Sequence, residues 1–156
     1  MKYYLSQANA AQMRGSLSSP IMEGMASQIQ RINALAESNE GFIWRIPSVT
    51  NDQLNPIVDD LHGIAAERIF FNMSVWESSE ALRQFTFESI HRSLLHRKQE
   101  WVVPSEDNSY VLWWVESNRL PSITEAAEKL SSIRSDGATK VAFDFKAPHP
   151  PPNDQT

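Results

Sequence analysis

The sequence predicts an α+β fold of the ferredoxin-like type, in which two βαβ units share one antiparallel sheet. Three observations predict it. Strand-like and helix-like segments follow one another in the order β-α-β-β-α-β, with an extra helix and a short strand at the C-terminal end. The helical segments carry apolar residues at spacings of three and four, and the strands alternate between two faces. The length of 156 residues suits one domain, expected over 3–146, with a disordered proline-rich tail at 147–156.

The first half of the chain supplies a strand, a helix and a strand. Tyr3 to Gln12 is the first strand. Ser19 and Pro20 provide an N-cap and a first-turn proline, which predict that a helix begins there. Gly41 is suited to a left-handed end of that helix, and Phe42 to Ile46 forms the second strand. The helix has an apolar stripe made of Ile21, Met25, Ile29, Ile32, Leu35 and Ala36.

The segment from Pro47 to Glu67 has turn chemistry and little periodicity. A structureless loop of that length is uncommon in a compact domain. Two alternatives are open at this point, a mobile flap or a short helix near Pro56 to Ala66.

The second half repeats the pattern. Arg68 to Trp76 is the clearest strand, and Glu80 to Lys98 is predicted as a helix whose apolar stripe includes His91. Tyr110 to Val115 is a strand whose adjacent tryptophans present one ring to each face. The third helix begins with a capping box of Ser122 and Glu125, and Val141 to Phe145 is the last short strand.

The strands that begin at Ile69 and Val111 are apolar on both faces, although the helices are expected to cover one face only. The second face therefore also needs cover. A second copy packed sheet against sheet would provide it, so we predict a homodimer.

Composition excludes several classes of function. The chain has no cysteine, so disulfides, thiolate metal sites and cysteine nucleophiles are excluded. The formal net charge of −5 argues against nucleic acid or an anionic membrane as a partner. No apolar run is long enough to span a bilayer, and the first residues lack a signal-peptide core, so we expect a cytoplasmic protein.

The segment NMSVWESSEALRQFTFESIHRSLLHRKQEW (Asn72 to Trp101), followed by LWWVESNRLPSITEAAEKL and AFDF, carries a family resemblance. It resembles an uncharacterised bacterial family of unknown function in the dimeric α/β-barrel superfamily, related to the antibiotic biosynthesis monooxygenases. The similarity runs from Leu5 to Phe145. It implies a dimeric α/β barrel with a pocket between the sheet and the helices of each subunit. Members of the wider group oxidise phenolic or polyketide-like molecules without a cofactor, degrade haem, or decompose and isomerise small compounds.

His91 is the candidate catalytic residue, because an imidazole on an apolar helix face can move a proton near neutral pH. The alternative is a packed core histidine. Trp76 is the candidate aromatic wall, since Asn72 and Ser74 share its strand face. For Trp113, as for most of the tryptophans, core packing is an equal or better explanation. Phe87, on the same helix as His91, completes the candidate ligand-binding set.

Gln7 and Asn9 are polar in a strand that should be buried on at least one face, so they need a partner or a ligand. Simple hydrogen bonds at an edge strand are the alternative. Arg45 could hold a ligand carboxylate or enolate. A salt bridge from Arg45 to Glu77 or Glu80 is the other explanation.

No metal site is expected. The spacing of Asp59, Asp60 and His62 is compatible with a metal, but a third firm ligand is missing, and adjacent carboxylates are common in turns.

Two functions compete. The first is a cofactor-independent oxygenase-like or proton-transfer enzyme acting on a small aromatic or polyketide-like molecule. His91 would be the base, with Asn9, Asn72 or Ser74 as oxyanion donors. The second is a non-catalytic dimer that binds a small hydrophobic molecule. Haem binding or degradation is a minor alternative, because the haem-cleaving relatives carry a tryptophan where this chain has phenylalanine before His91.

Overall fold

The structure, a computed structural model, describes residues 1–61, 63–88 and 97–152, except for the side chains of Asp60 and Glu88. Four antiparallel strands form one sheet in the order β2-β3-β1-β4. The strands are β1 (Tyr3–Gln12), β2 (Phe42–Arg45), β3 (Ile69–Trp76) and β4 (Tyr110–Glu116). The helices are α1 (Glu23–Glu37), α2 (Asn55–Asp60), α3 (Ser79–Glu88) and α4 (Ile123–Asp136). This strand order is that of the ferredoxin-like fold, so the predicted α+β class is confirmed.

The two faces of the sheet differ in chemistry. On β1, Leu5, Gln7 and Asn9 point to one side, called here the amide face, and Ser6, Ala8 and Ala10 point to the other, the aliphatic face. The amide face contacts buried residues from three other parts of the chain, namely Ala36 of α1, Leu82 of α3 and Phe143 near the C-terminus. It is therefore an interior surface.

The aliphatic face is covered by the chain itself. Leu54 and Ile57, at the start of the α2 region, pack on it together with Leu130 and Ile133 of α4. The expectation that helices cover one face only is therefore wrong, and so is the argument that a second copy must cover Ile69 and its neighbours. The homodimer stays a prediction that depends on the family resemblance.

The segment between Pro47 and Glu67 is the cover of the aliphatic face. Of the two alternatives, the short helix is confirmed as α2, which is preceded by a single 3₁₀ turn at Asp52–Leu54. The side chain of Ile57 is completely buried. The sequence could not distinguish this helix from a loop, because a six-residue helix is too short to show a full apolar stripe.

The helix ends confirm some predictions and overturn others. Ser122 caps α4 as expected, accepting a hydrogen bond from the Glu125 amide at 3.1 Å. Ser19 does not cap α1, because its hydroxyl donates instead to the Ser16 carbonyl. Gly41 does not adopt a left-handed backbone. Its lack of a side chain is required because a Cβ there would overlap the Cβ of Ala81.

The C-terminal segment contacts the sheet. The predicted strand Val141 to Phe145 is reduced to one bridge, in which Phe143 exchanges two backbone hydrogen bonds with Leu112. Residues 147–152 of the expected disordered tail follow it. The His149 carbonyl accepts a hydrogen bond from Trp114 Nε1 at 2.9 Å, so this part of the tail is packed against the amide face.

In the described ranges, every helix is too short or too polar to cross a lipid bilayer.

Candidate functional site

The amide face places its polar residues in two adjacent cross-strand rows. Asn9 of β1 stands opposite Asn72 of β3, and Gln7 stands opposite Ser74. The next row pairs Leu5 with Trp76. Because side chains on one face repeat every second residue, the alternation in the sequence already places these residues on a common surface.

Five of these side chains form one hydrogen-bonded network, called here the amide network: Gln7, Asn9, Asn72, Ser74 and Trp76. Gln7 Nε2 donates to Asn72 Oδ1 at 3.1 Å and to Ser74 Oγ at 2.8 Å. Asn9 Nδ2 donates to Gln7 Oε1 at 3.0 Å and to Asn72 Oδ1 at 3.2 Å. Trp76 Nε1 donates to Ser74 Oγ at 2.8 Å.

The amide network lies at the boundary between buried and open surface. Gln7, Ser74 and Trp76 are buried, whereas Asn9 and Asn72 are half-buried. A polar cluster in such a place is costly unless its hydrogen bonds are made. The inner bonds hold the side chains in fixed orientations, and the outer amides, those of Asn9 and Asn72, are partly exposed.

Aromatic rings stand on both sides of the amide network. On one side, the Trp76 ring stacks on Phe85 with centroids 5.1 Å apart and meets the edge of Phe42 at 5.5 Å. On the other side, Tyr110 stands opposite Asn9 on β4, and its ring lies 6.0 Å from that of Phe145. Polar groups between aromatic walls are typical of a site for a planar organic molecule.

Phe87 belongs to the second of these walls. Its ring meets that of Phe145 at 5.6 Å, and the Arg83 guanidinium lies over both rings. The Phe87 side chain is 45% exposed. It therefore lies at the outer margin of the aromatic wall, away from the buried network.

Tyr110 was not among the residues singled out from the sequence. Burial raises the pKa of its phenol, while the backbone hydrogen bond from Phe145 opposes that effect. The phenol is therefore neutral at pH 7, and its O–H group is available as a hydrogen-bond donor. Only the β1–β4 register reveals that it lies in the row of Asn9, because the sequence does not specify how the two strands are aligned.

Arg45 lies in the row of Ser74, at the sheet edge formed by β2. Its Nε contacts Glu37 Oε1 of α1 at 2.6 Å. The alternative explanation for Arg45 was a salt bridge to Glu77 or Glu80. A salt bridge is present, but its acidic partner is Glu37. Because Glu37 offsets its charge, Arg45 is a weaker candidate for binding an anionic ligand than the sequence indicated.

Trp113 lies on the aliphatic face, apart from the other candidates. Its ring is buried in the core of that face, and its Nε1 donates to Glu125 Oε2 at 2.9 Å. Glu125 also receives two hydrogen bonds from Arg119 at 2.8 and 2.9 Å. Burial alone would raise the pKa of Glu125, but the bonds from Arg119 and Trp113 outweigh it and hold that pKa below its usual value.

His91, the candidate base, lies outside the described residues, as does His62. The side chain of Asp60 is likewise not described. Among the residues whose side chains the structure does describe, no three His, Asp or Glu groups are placed to hold a metal ion.

Two clefts in the described part of the chain lie away from the amide network, none of whose residues lines them. One, of about 640 Å³, lies between the end of α1 and the start of α3 and is lined in part by Phe85. The other, of about 530 Å³, lies between the start of α1 and the helical residues 97–101. The first cleft is linked to the amide network by the ring pair of Phe85 and Trp76.

Fold and site together define an α+β protein of ferredoxin-like topology with a polar network on the interior face of its sheet. The chain belongs to the family described as a domain of unknown function (DUF3291), whose pattern it matches over residues 4–156. The predicted membership in an uncharacterised family is thus confirmed. No curated protein matches the chain.

Two solved structures are similar to this chain. One is SnoaB, a cofactor-independent oxygenase from Streptomyces nogalater, with 11% identity, a TM-score of 0.48, and coverage of 77% of this chain and 97% of that chain. The other is NE2512, a protein of unknown function from Nitrosomonas europaea, with 10% identity, a TM-score of 0.47, and coverage of 77% and 96%.

Proposed function

We propose that the amide network is the floor of a ligand site and that the protein is a cofactor-independent oxygenase-like enzyme. Its substrate would be a small aromatic or polyketide-like molecule held between the two aromatic walls. The observation that carries this proposal is the cross-strand network of Gln7, Asn9, Asn72 and Ser74, with the Trp76 indole as its fifth member. The family resemblance supports the class of chemistry.

The hydrogen bonds of the network favour one group as the one that would stabilise negative charge on a substrate oxygen. Both N–H groups of Asn9 already donate inside the network, so Asn9 is a poor oxyanion donor. The amino group of Asn72 has no acceptor among the described residues, and the Asn72 side chain is half-buried. Asn72 is therefore our candidate for the oxyanion donor.

The reaction proposed needs an ionisable substrate and dioxygen only. A base removes a proton from a ring CH₂ that is conjugated with a carbonyl group, and the resulting enolate transfers an electron to O₂. Recombination and loss of water convert the CH₂ to a C=O group. One oxygen atom of O₂ becomes the new carbonyl oxygen and the other leaves as water. His91 is our proposed base, and Asn72 would hold the enolate oxygen.

Oxygen uptake with 1,8-dihydroxyanthrone (called anthrone below) as the probe tests this proposal, since its carbonyl lies beside O–H groups. We expect consumption of O₂ equimolar with anthraquinone formed, at a rate above that in buffer. The His91→Ala variant should bind anthrone but turn it over at least about 100-fold more slowly. A wild-type rate equal to the buffer rate across a panel of anthrones, phenols and 1,3-diketones would contradict the enzymatic proposal.

A second candidate is a non-catalytic binding protein. It is favoured by one observation: among the described residues, no titratable side chain hydrogen-bonds to the amide network. Binding of anthrone without oxygen uptake, unchanged in His91→Ala, would identify this function instead.

A further inference from the structure

The hydrogen bonds of the amide network fix the direction in which two asparagine side chains point. Asn72 Oδ1 accepts from both Gln7 Nε2 and Asn9 Nδ2, so the Asn72 carbonyl faces into the network. Asn9 is reversed, because its Nδ2 donates to Gln7 Oε1 and to Asn72 Oδ1. A carboxamide has one acceptor and one double donor. The groups that make no bond within the network, called here the outward groups, are therefore the amino group of Asn72 and the carbonyl of Asn9.

These two outward groups are neighbours. Asn9 and Asn72 are directly opposed on paired strands, which run about 5 Å apart. Both side chains are half-buried, and neither outward group has a hydrogen-bond partner in the described part of the chain. The sheet thus presents an unpaired donor and an unpaired acceptor on two directly opposed residues between aromatic walls.

We infer that Asn9 and Asn72 select an uncharged planar ligand that carries a carbonyl oxygen beside an N–H or O–H group, and that they discriminate against a carboxylate. A lactam or an enolised diketone has such an edge. Its carbonyl would accept from Asn72 Nδ2, and its N–H or O–H would donate to Asn9 Oδ1. The inference rests on the proposed function and specifies the ligand of the same site.

Charge in the surroundings agrees with this selection. A carboxylate offers acceptors only, so one of its oxygens would face Asn9 Oδ1 without a proton between them. The network itself supplies no cation to compensate. Two guanidinium groups lie near it: that of Arg45, one row away, is paired with Glu37, and that of Arg83 lies over the Phe145 ring and donates to the Phe145 carbonyl. A lost hydrogen bond to a desolvated partner weakens binding by about 10- to 100-fold.

Three planar probes of similar size test the inference on the wild-type protein. 2-Quinolone offers a carbonyl beside an N–H group, N-methyl-2-quinolone offers the carbonyl alone, and 2-naphthoate offers a carboxylate. Titration calorimetry should show 2-quinolone binding at least about 10-fold more tightly than either of the others. Equal affinity of the three probes, or tighter binding of 2-naphthoate, would overturn the inference.

A variant tests whether Asn72 makes the contact. Asn72→Asp keeps an inward oxygen for Gln7 and Asn9 but replaces the outward amino group with an oxygen. It should weaken 2-quinolone binding at least about 10-fold. Asn51→Asp is the matched control, since it adds the same charge at an exposed position and should leave affinity unchanged. Circular dichroism establishes that both variants are folded.

The outcomes separate the inference from the proposed function. If all three probes bind with similar affinity and Asn72→Asp weakens each of them, the ligand site is supported and its polarity selection is wrong. Equal affinities of Asn72→Asp and Asn51→Asp for 2-quinolone would also overturn the inference. If no probe binds to the wild type, the inference and the proposed ligand site both fail.

Discussion

Ser74 is the side chain on which the amide network depends most. Its buried Oγ accepts hydrogen bonds from Gln7 Nε2 and from Trp76 Nε1, each at 2.8 Å. These two bonds join the amides of the network to the indole that forms the aromatic wall. A single hydroxyl therefore couples the polar floor of the candidate site to its apolar side.

We predict that Ser74→Ala lowers the free energy of unfolding by about 1–3 kcal/mol, because two buried N–H groups lose their acceptor. Urea unfolding followed by circular dichroism measures the change. Ser131→Ala, at an exposed position in α4, is the control and should have little effect. Equal stability of Ser74→Ala and wild type would show that the network is not a stabilising unit.

Glu125 gives the clearest expectation for pH. Its pKa in the folded protein lies below the ordinary value of 4.5, so its stabilising contribution is present above about pH 4.5. That contribution is lost as the pH falls through the folded-state pKa. Wild type should therefore lose more stability between pH 5 and pH 3, about the range of carboxylate titration, than Glu125→Gln does.

Urea unfolding at several pH values checks this prediction for Glu125. Glu128→Gln, an exposed position of the same helix, should retain the pH dependence of the wild type. Parallel pH profiles for wild type and Glu125→Gln would contradict the role given to the contacts with Arg119 and Trp113.

At the scale of single residues, alternation in the strands was enough to bring Gln7, Asn9, Asn72 and Ser74 to attention. A polar residue in a buried strand must find a partner, and here the partners are one another. The register and the direction of each amide could not be read from the sequence, because both depend on pairing between distant strands. For the same reason Tyr110 was missed.

At the scale of elements, α2 is a short helix that completes the core. In the sequence it lies between β2 and β3. In the fold it packs Ile57 against the aliphatic face next to α4. The long strands, the helices α1 and α4 and the start of α3 were predicted within one to a few residues, because their apolar periodicity is strong. The α2 segment was left open since its apolar contacts are made mainly with the sheet and α4, which are distant in sequence.

We predict that Ile57→Ala destabilises the protein by about 2–5 kcal/mol, as expected for a large apolar side chain truncated in a packed core. The change is measured by urea unfolding. Ile21→Ala is the matched control, because Ile21 is 57% exposed and its truncation should cost far less. Similar losses in the two variants would show that α2 does not cover the sheet as described.

At the scale of the whole molecule, both faces of the sheet are covered by helices of the same chain. A second copy of the chain is therefore not needed to cover an apolar face of the sheet. Local sequence patterns identified the elements and their order, but they could not show that α2 and α4 pack on the face that was expected to meet a partner.

The family resemblance still predicts a homodimer. Sedimentation equilibrium at micromolar concentration should give about twice the chain mass of 17.7 kDa. A mass of one chain under these conditions would contradict the dimer. It would leave the ligand site unaffected, because every residue of the amide network comes from one chain.

The central claim is that the amide network is the floor of a ligand site. Side-chain NMR tests it most directly, with ¹⁵N-labelled protein titrated with 2-quinolone. We expect saturable shifts of the resonances of the Asn72 amino group and the Trp76 indole N–H, while the resonance of the Trp113 indole N–H on the aliphatic face does not move. Shifts at Trp113 with none at Asn72 and Trp76, or no shift at saturating ligand, would contradict it.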